Sequence, residues 1–158
     1  MSLIRTFIVT VANPGAGNRY YIDGVLQETV NLAEGYTYKF DVSDNSVSGH
    51  PFRFSTTSNG THNGGSEYTT GVTTSGNAGD NGAYVQIAVA ASAPQLYYYC
   101  TNHSGMGGSA NTEPSDTWGL LEWGQNSYGT QDTANVFPTS LSITSDIGSV
   151  IASADRGW

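Results

Sequence analysis

Basic residues are nearly missing from this sequence. Lys and Arg number 5 against 13 Asp and Glu, and the formal charge is −8. No basic stripe is available to neutralise phosphates, so nucleic acid is not expected as a partner. An anionic membrane surface is excluded on the same ground. Cysteine occurs once, which rules out an internal disulfide. Long helix-period apolar stretches are missing, and no apolar run approaches the length of a membrane-spanning helix. The opening Met-Ser-Leu-Ile-Arg-Thr-Phe-Ile-Val-Thr-Val does not read as a signal peptide, because Arg5 and Thr6 interrupt the apolar run and no small-residue cleavage site follows. The expectation is a protein made and kept in a cytoplasm until something else releases it.

What is present is Gly, Ser, Thr, Asn and Tyr in quantity. Short β-branched and aromatic runs are split by Gly, Asn and Pro clusters, which argues for an all-β fold. The 158 residues suffice for one domain with a core, plus an appendage. Residues 6–11 read as a strand with Phe7, Val9 and Val11 on one face. Residues 19–22 form a short strand, Asp23-Gly24 a hairpin turn, and residues 25–32 the returning strand. Tyr36, Tyr38 and Phe40 alternate with Thr37 and Lys39, as a half-buried strand does. After a polar loop, Phe52 and Phe54 alternate about Arg53, which sets His50 at the mouth of a strand.

Residues 56–83 are almost all Gly, Ser, Thr and Asn, with Tyr68 and Val72 as the only substantial apolar side chains. A connection this long is usually functional or mobile. His62 within it reads as a solvated loop residue. His62 and Glu67 share the loop, but Gly64-Gly65 between them fixes no geometry. Val85, Ile87 and Val89 then mark a strand, and residues 96–100 another. In that last strand Tyr97 and Tyr99 face one way and Tyr98 with Cys100 the other.

The strand ends in Cys100-Thr-Asn-His103-Ser-Gly-Met106-Gly-Gly. Thiolate, imidazole and thioether on one short loop form an unusual set. Soft sulfur ligands with imidazole select copper, and two His with one Cys and a weak axial Met make a blue-copper site. His50 supplies the second imidazole. The candidate ligands are therefore His50, Cys100, His103 and Met106, for one copper ion. A buried, unliganded Cys100 beside hydrogen-bonded histidines is the plainer alternative.

Beyond Gly108 the texture changes. Residues 109–117 read as a linker with Pro114. Trp118-Gly, Trp123-Gly and Tyr128-Gly then repeat an aromatic-Gly step, and the sequence ends on Gly157-Trp158. Leu141 and Ile143 are consistent with one more strand. The division is thus a β-sandwich over residues 1–108 and an arm over residues 109–158, with Trp118, Trp123, Tyr128 and Trp158 as interface anchors for assembly.

Two resemblances follow from these motifs. Cys-x₂-His-x₂-Met directly after a strand, with a His at the start of an earlier strand, resembles the ligand pattern of the cupredoxins, with the short-loop spacing of the amicyanin type. Over residues 1–108 this implies a Greek-key β-sandwich with the ligand loops gathered at one end. One departure is plain. In that family the residue after the first His commonly gives its backbone N–H to the Cys sulfur, and here it is Pro51, which has none. The second resemblance is to virion proteins of marine bacteriophages, especially those of cyanobacteria. It rests on His-Pro-Phe-Arg-Phe-Ser-Thr-Thr-Ser, Gly-Ser-Glu-Tyr-Thr-Thr-Gly-Val, the Cys100 loop and Trp-Gly-Leu-Leu-Glu-Trp-Gly. It implies a structural component such as a head decoration, fibre or tail-associated protein. Its expected partners are other virion proteins and further copies of itself, after assembly in the host cytoplasm.

The resulting expectation is a virion structural protein on a cupredoxin-like domain that holds one copper ion. A blue-copper electron carrier is the alternative. A receptor- or glycan-binding module, with Tyr68 and the polar loop as its contact surface, is the second alternative. No nucleophile or acid–base set stands out, so the chain is not expected to be an enzyme.

Overall fold

The computed structural model describes residues 3–115. It is all-β. The strands are β1 (Leu3–Ala12), β2 (Arg19–Ile22), β3 (Val25–Leu26), β4 (Val30–Ala33), β5 (Thr37–Asp41), β6 (Phe52–Ser55), β7 (Glu67–Tyr68), β8 (Val72–Ser75), β9 (Tyr84–Ala88), β10 (Leu96–Cys100) and β11 (Gly108–Glu113). They form two sheets, one ordered β3-β2-β1-β5-β9-β8 and the other β4-β11-β10-β6-β7. Both sheets are mixed: β1 runs parallel to β5 and β11 parallel to β4, and the remaining pairs are antiparallel.

Alternation explains the layering. Phe7 and Val9, Tyr20 and Ile22, Tyr38 and Phe40, and Val85 and Ile87 point inward from the first sheet. Val30 and Leu32, Phe52 and Phe54, Leu96, Tyr98 and Cys100, and Ala110 point inward from the second. All belong to one core cluster, so the two sheets share a single apolar layer, as a β-sandwich requires. Aromatic rings dominate its middle: Phe40 stacks on Phe52 at 5.0 Å, and Phe52 on Tyr98 at 5.3 Å.

The Asp23-Gly24 turn is as expected, with both residues at positive φ (50° and 83°), the conformation a two-residue type I′ hairpin needs. Three other expectations are corrected. Residues 25–32 are not one returning strand. Gln27, at φ 46°, turns the chain, so that β3 closes the first sheet and β4 enters the second. Residues 56–83 are not one long connection: they hold a 3-10 turn at Gly60–Asn63 and the edge strands β7 and β8. Their exposure removes the apolar alternation that would have announced them. Residues 109–113 are strand rather than linker, so the sandwich runs past Gly108. β11 has only Ala110 fully buried, and its place comes from hydrogen bonding to β10 on one side and β4 on the other. The aromatic-Gly arm, with Trp118, Trp123, Tyr128, Trp158 and the expected strand at Leu141 and Ile143, lies outside the described residues. Among the described residues no helix is long and apolar enough to cross a membrane.

Candidate metal centre

Strand register brings the ligand candidates together. β6 and β10 are antiparallel, with Cys100 opposite Phe52. The C-terminal end of β10 therefore meets the segment leading into β6, where His50 stands. Thr101 N–H donates to the Pro51 carbonyl at 3.2 Å, and the Asn102 amide to the Gly49 carbonyl at 2.9 Å. His50 itself closes a 3-10 turn over Asn45–Val47, donating its N–H to Val47 O at 2.9 Å. That turn is capped by Asp44, whose side chain accepts from Ser46 N–H. The Ser46 hydroxyl in turn accepts from Val11 N–H at 2.9 Å, tying the turn to β1.

His50, Cys100 and His103 offer ligand atoms that all lie within 4.8 Å of one another. The Cys100 sulfur is 3.8 Å from His50 Nδ1 and 3.6 Å from His103 Nδ1. The two imidazoles are 4.6 Å apart between centroids and inclined at 51°. An ion with metal–nitrogen bonds of about 2.0–2.1 Å and a metal–sulfur bond of about 2.3 Å sets nitrogen and sulfur about 3.5–3.8 Å apart at tetrahedral to trigonal angles. Both nitrogens fit that spacing, so the three residues can bind one metal ion. Cys100 is fully buried, His50 is 8% exposed, and His103 is open to solvent. Burial, and then the neighbouring His103, hold the pKa of His50 below its ordinary value, which keeps the imidazole neutral and its lone pair available. Met106 is buried at the inner end of the same loop, in the core cluster that also contains Cys100.

The surrounding polar groups fix this end of the sandwich. The Tyr20 hydroxyl donates to His50 O at 2.7 Å. Asn18 approaches His50 Nε2 at 3.2 Å. The Gln27 amide donates to Gly105 O at 3.1 Å and also to Gly107 O. Asn59 holds the ligand loop twice, donating to Ser104 Oγ and accepting from Gly105 N–H, each at 2.8 Å.

His62 is exposed and outside the ligand cluster, as expected, but it also has a structural partner. Its Nε2 bonds the Cys100 carbonyl at 2.9 Å, and its ring meets Tyr99 edge-on. It secures the ligand strand while its side chain stays exposed. Glu67 pairs instead with Arg53 at 3.1 Å, so the two residues do not form a site. Tyr68, a proposed contact residue, is half-buried, lies opposite Phe54 and packs against the core. Asn59, His62, Gln27 and Tyr20 all act on the ligand loop through long-range contacts. In the sequence only the Ser-Asn-Gly turn at Asn59 leaves any mark.

No protein-family model matches the chain, and no curated protein is similar to it.

Proposed function

We propose that this domain binds one copper ion through His50, Cys100 and His103, with Met106 as a weak fourth ligand. The observation that carries the reading is the convergence of two imidazole nitrogens on one buried thiol, at the spacing a single ion requires. Thiolate, imidazole and thioether together favour copper over harder ions. Bound there, copper supplies one-electron exchange between its two oxidation states. The chain's own residues hold the two nitrogens and the sulfur, and exclude water from the sulfur. With Nδ1 of His50 as the ligand atom, the ring proton sits on Nε2, and the Asn18 amide, whose nitrogen stands 3.2 Å away, must turn its oxygen to this position to orient the ring.

The setting we propose is a virion. What supports it is the resemblance to marine phage structural proteins drawn from the sequence segments named above, which points to a decoration, fibre or tail-associated component that self-associates. In that setting the ion pins the loops at one end of the sandwich, because binding to the folded state alone stabilises it. A blue-copper electron carrier is the second reading. What favours it is the exposure of His103, which would bring one ligand to the molecular surface.

Titration of the reduced protein with Cu(II) tests the copper reading. An intense visible sulfur-to-copper band is expected, and it should be lost in Cys100→Ser. A colourless protein whose melting temperature ignores copper would overturn it. Light scattering of the full chain tests the virion setting: a homo-oligomer is expected, and a stable monomer counts against assembly.

A further inference from the structure

Tyr20 reaches the ligand set from the opposite sheet. Its main-chain N–H donates to Met106 O at 3.0 Å, and its hydroxyl to His50 O at 2.7 Å. Burial, and after it the Cys100 thiol, push the ionisation of this side chain far above the ordinary tyrosine range. The residue is fully buried, with its ring edge-on to Phe52 at 5.3 Å and tilted against Tyr98 at 6.3 Å. The ring therefore has little freedom, and the hydroxyl is held where it is. Pro51, which follows His50, has no N–H to offer the sulfur. An ionised sulfur in an apolar interior needs polar hydrogens nearby.

We propose that Tyr20 is the positioning residue of the metal centre: its hydroxyl, seated on the His50 carbonyl, and its main-chain N–H, seated on the Met106 carbonyl, set the His50 segment and the ligand loop relative to each other. This rests on the copper-binding reading above. The hydroxyl gives its one proton to the His50 carbonyl and so fixes the backbone that carries this imidazole. Outer contacts that orient the ligands tune both affinity and potential.

The test compares Tyr20→Phe with Tyr98→Phe. Tyr98 is equally buried in the same aromatic cluster, and its hydroxyl also donates to a carbonyl at 2.7 Å, that of Glu28, away from the ligands. Phe preserves either ring, and urea unfolding of the metal-free proteins should show similar midpoints for the two variants. Each is then titrated with Cu(II) against a competing chelator, with the visible band, the electron paramagnetic resonance spectrum and the reduction potential as readouts. Tyr20→Phe should weaken copper binding about 10- to 100-fold, move the band and shift the potential. Tyr98→Phe should do none of these. Equal affinity, band and potential in the two variants would overturn the role of Tyr20 while leaving copper binding intact. A wild-type protein that gives no band would remove the copper reading, and this inference with it.

Discussion

Two polar loops of nearly the same composition lie side by side at the ligand end. One reads Thr101-Asn-His-Ser-Gly-Met-Gly-Gly and the other Thr57-Ser-Asn-Gly-Thr-His-Asn-Gly. Each carries one histidine, and both histidines act on Cys100. His103 sets its Nδ1 3.6 Å from the sulfur, while His62 sets its Nε2 2.9 Å from the carbonyl oxygen. The first is a candidate ligand and the second a strut. Residue type does not separate them. What separates them is which atom of the same cysteine the ring nitrogen meets, and that is decided by strand register and by the 3-10 turn at Gly60–Asn63. A loop without ligands can thus be needed to hold a loop that has them.

The largest way to break the comparison is through Gly60. It sits at φ 55°, and a Cβ there would come within 2.5 Å of the Tyr99 ring. Gly60→Ala should cost about 3 kcal/mol by combining overpacking with a left-handed backbone. Gly64 has a similar φ of 77° with open space around it, so Gly64→Ala should cost only about 1 kcal/mol. Urea unfolding measures both, and equal losses would mean that the turn is not pressed onto Tyr99. Next comes Asn59, which bridges the loops through two hydrogen bonds. Asn59→Ala should cost about 2 kcal/mol in the same assay, and a neutral result would show that the loops are not coupled.

The two histidines then give a crossed outcome. His103→Ala should abolish the copper band yet leave the metal-free stability within about 0.5 kcal/mol, since the side chain is exposed. His62→Ala should keep the band and cost about 1 kcal/mol through the lost bond to Cys100 O. Exchanged results would reverse the assignment of ligand and strut.

Much of this was legible in the sequence, and its limits are physical. The all-β class, the Asp23-Gly24 hairpin and the inward faces at Phe7, Tyr38, Phe52 and Val85 follow from local alternation and turn chemistry, which need only neighbouring residues. The convergence of His50, Cys100 and His103 was readable because thiol and imidazole at that spacing have few other uses. β11 was not readable, since Gly108, Ser109 and Asn111 have poor strand propensity and its stability comes from partners on both edges. The split of residues 25–32 between sheets was hidden in the single positive φ of Gln27. The roles of Tyr20, Asn59 and His62 depend on contacts between positions remote in sequence, which neither composition nor periodicity encodes.

The smallest effect is a pH dependence, and it separates the loops once more. In the metal-free protein His50 has its pKa lowered from the ordinary 6.5, first by burial and then by His103. The unfolded chain therefore takes up this proton at a higher pH than the folded one, and stability falls where the unfolded state binds more protons. The contribution is complete above pH 6.5 and is lost progressively as pH drops through the folded pKa. Urea midpoints taken from about pH 8 down to about pH 5 should fall accordingly. His103→Ala removes the second cause and should flatten the fall, whereas His62→Ala, which leaves both causes in place, should keep its steepness relative to wild type. A midpoint that stays level for the wild-type protein across this window would mean that His50 is not held neutral by its burial.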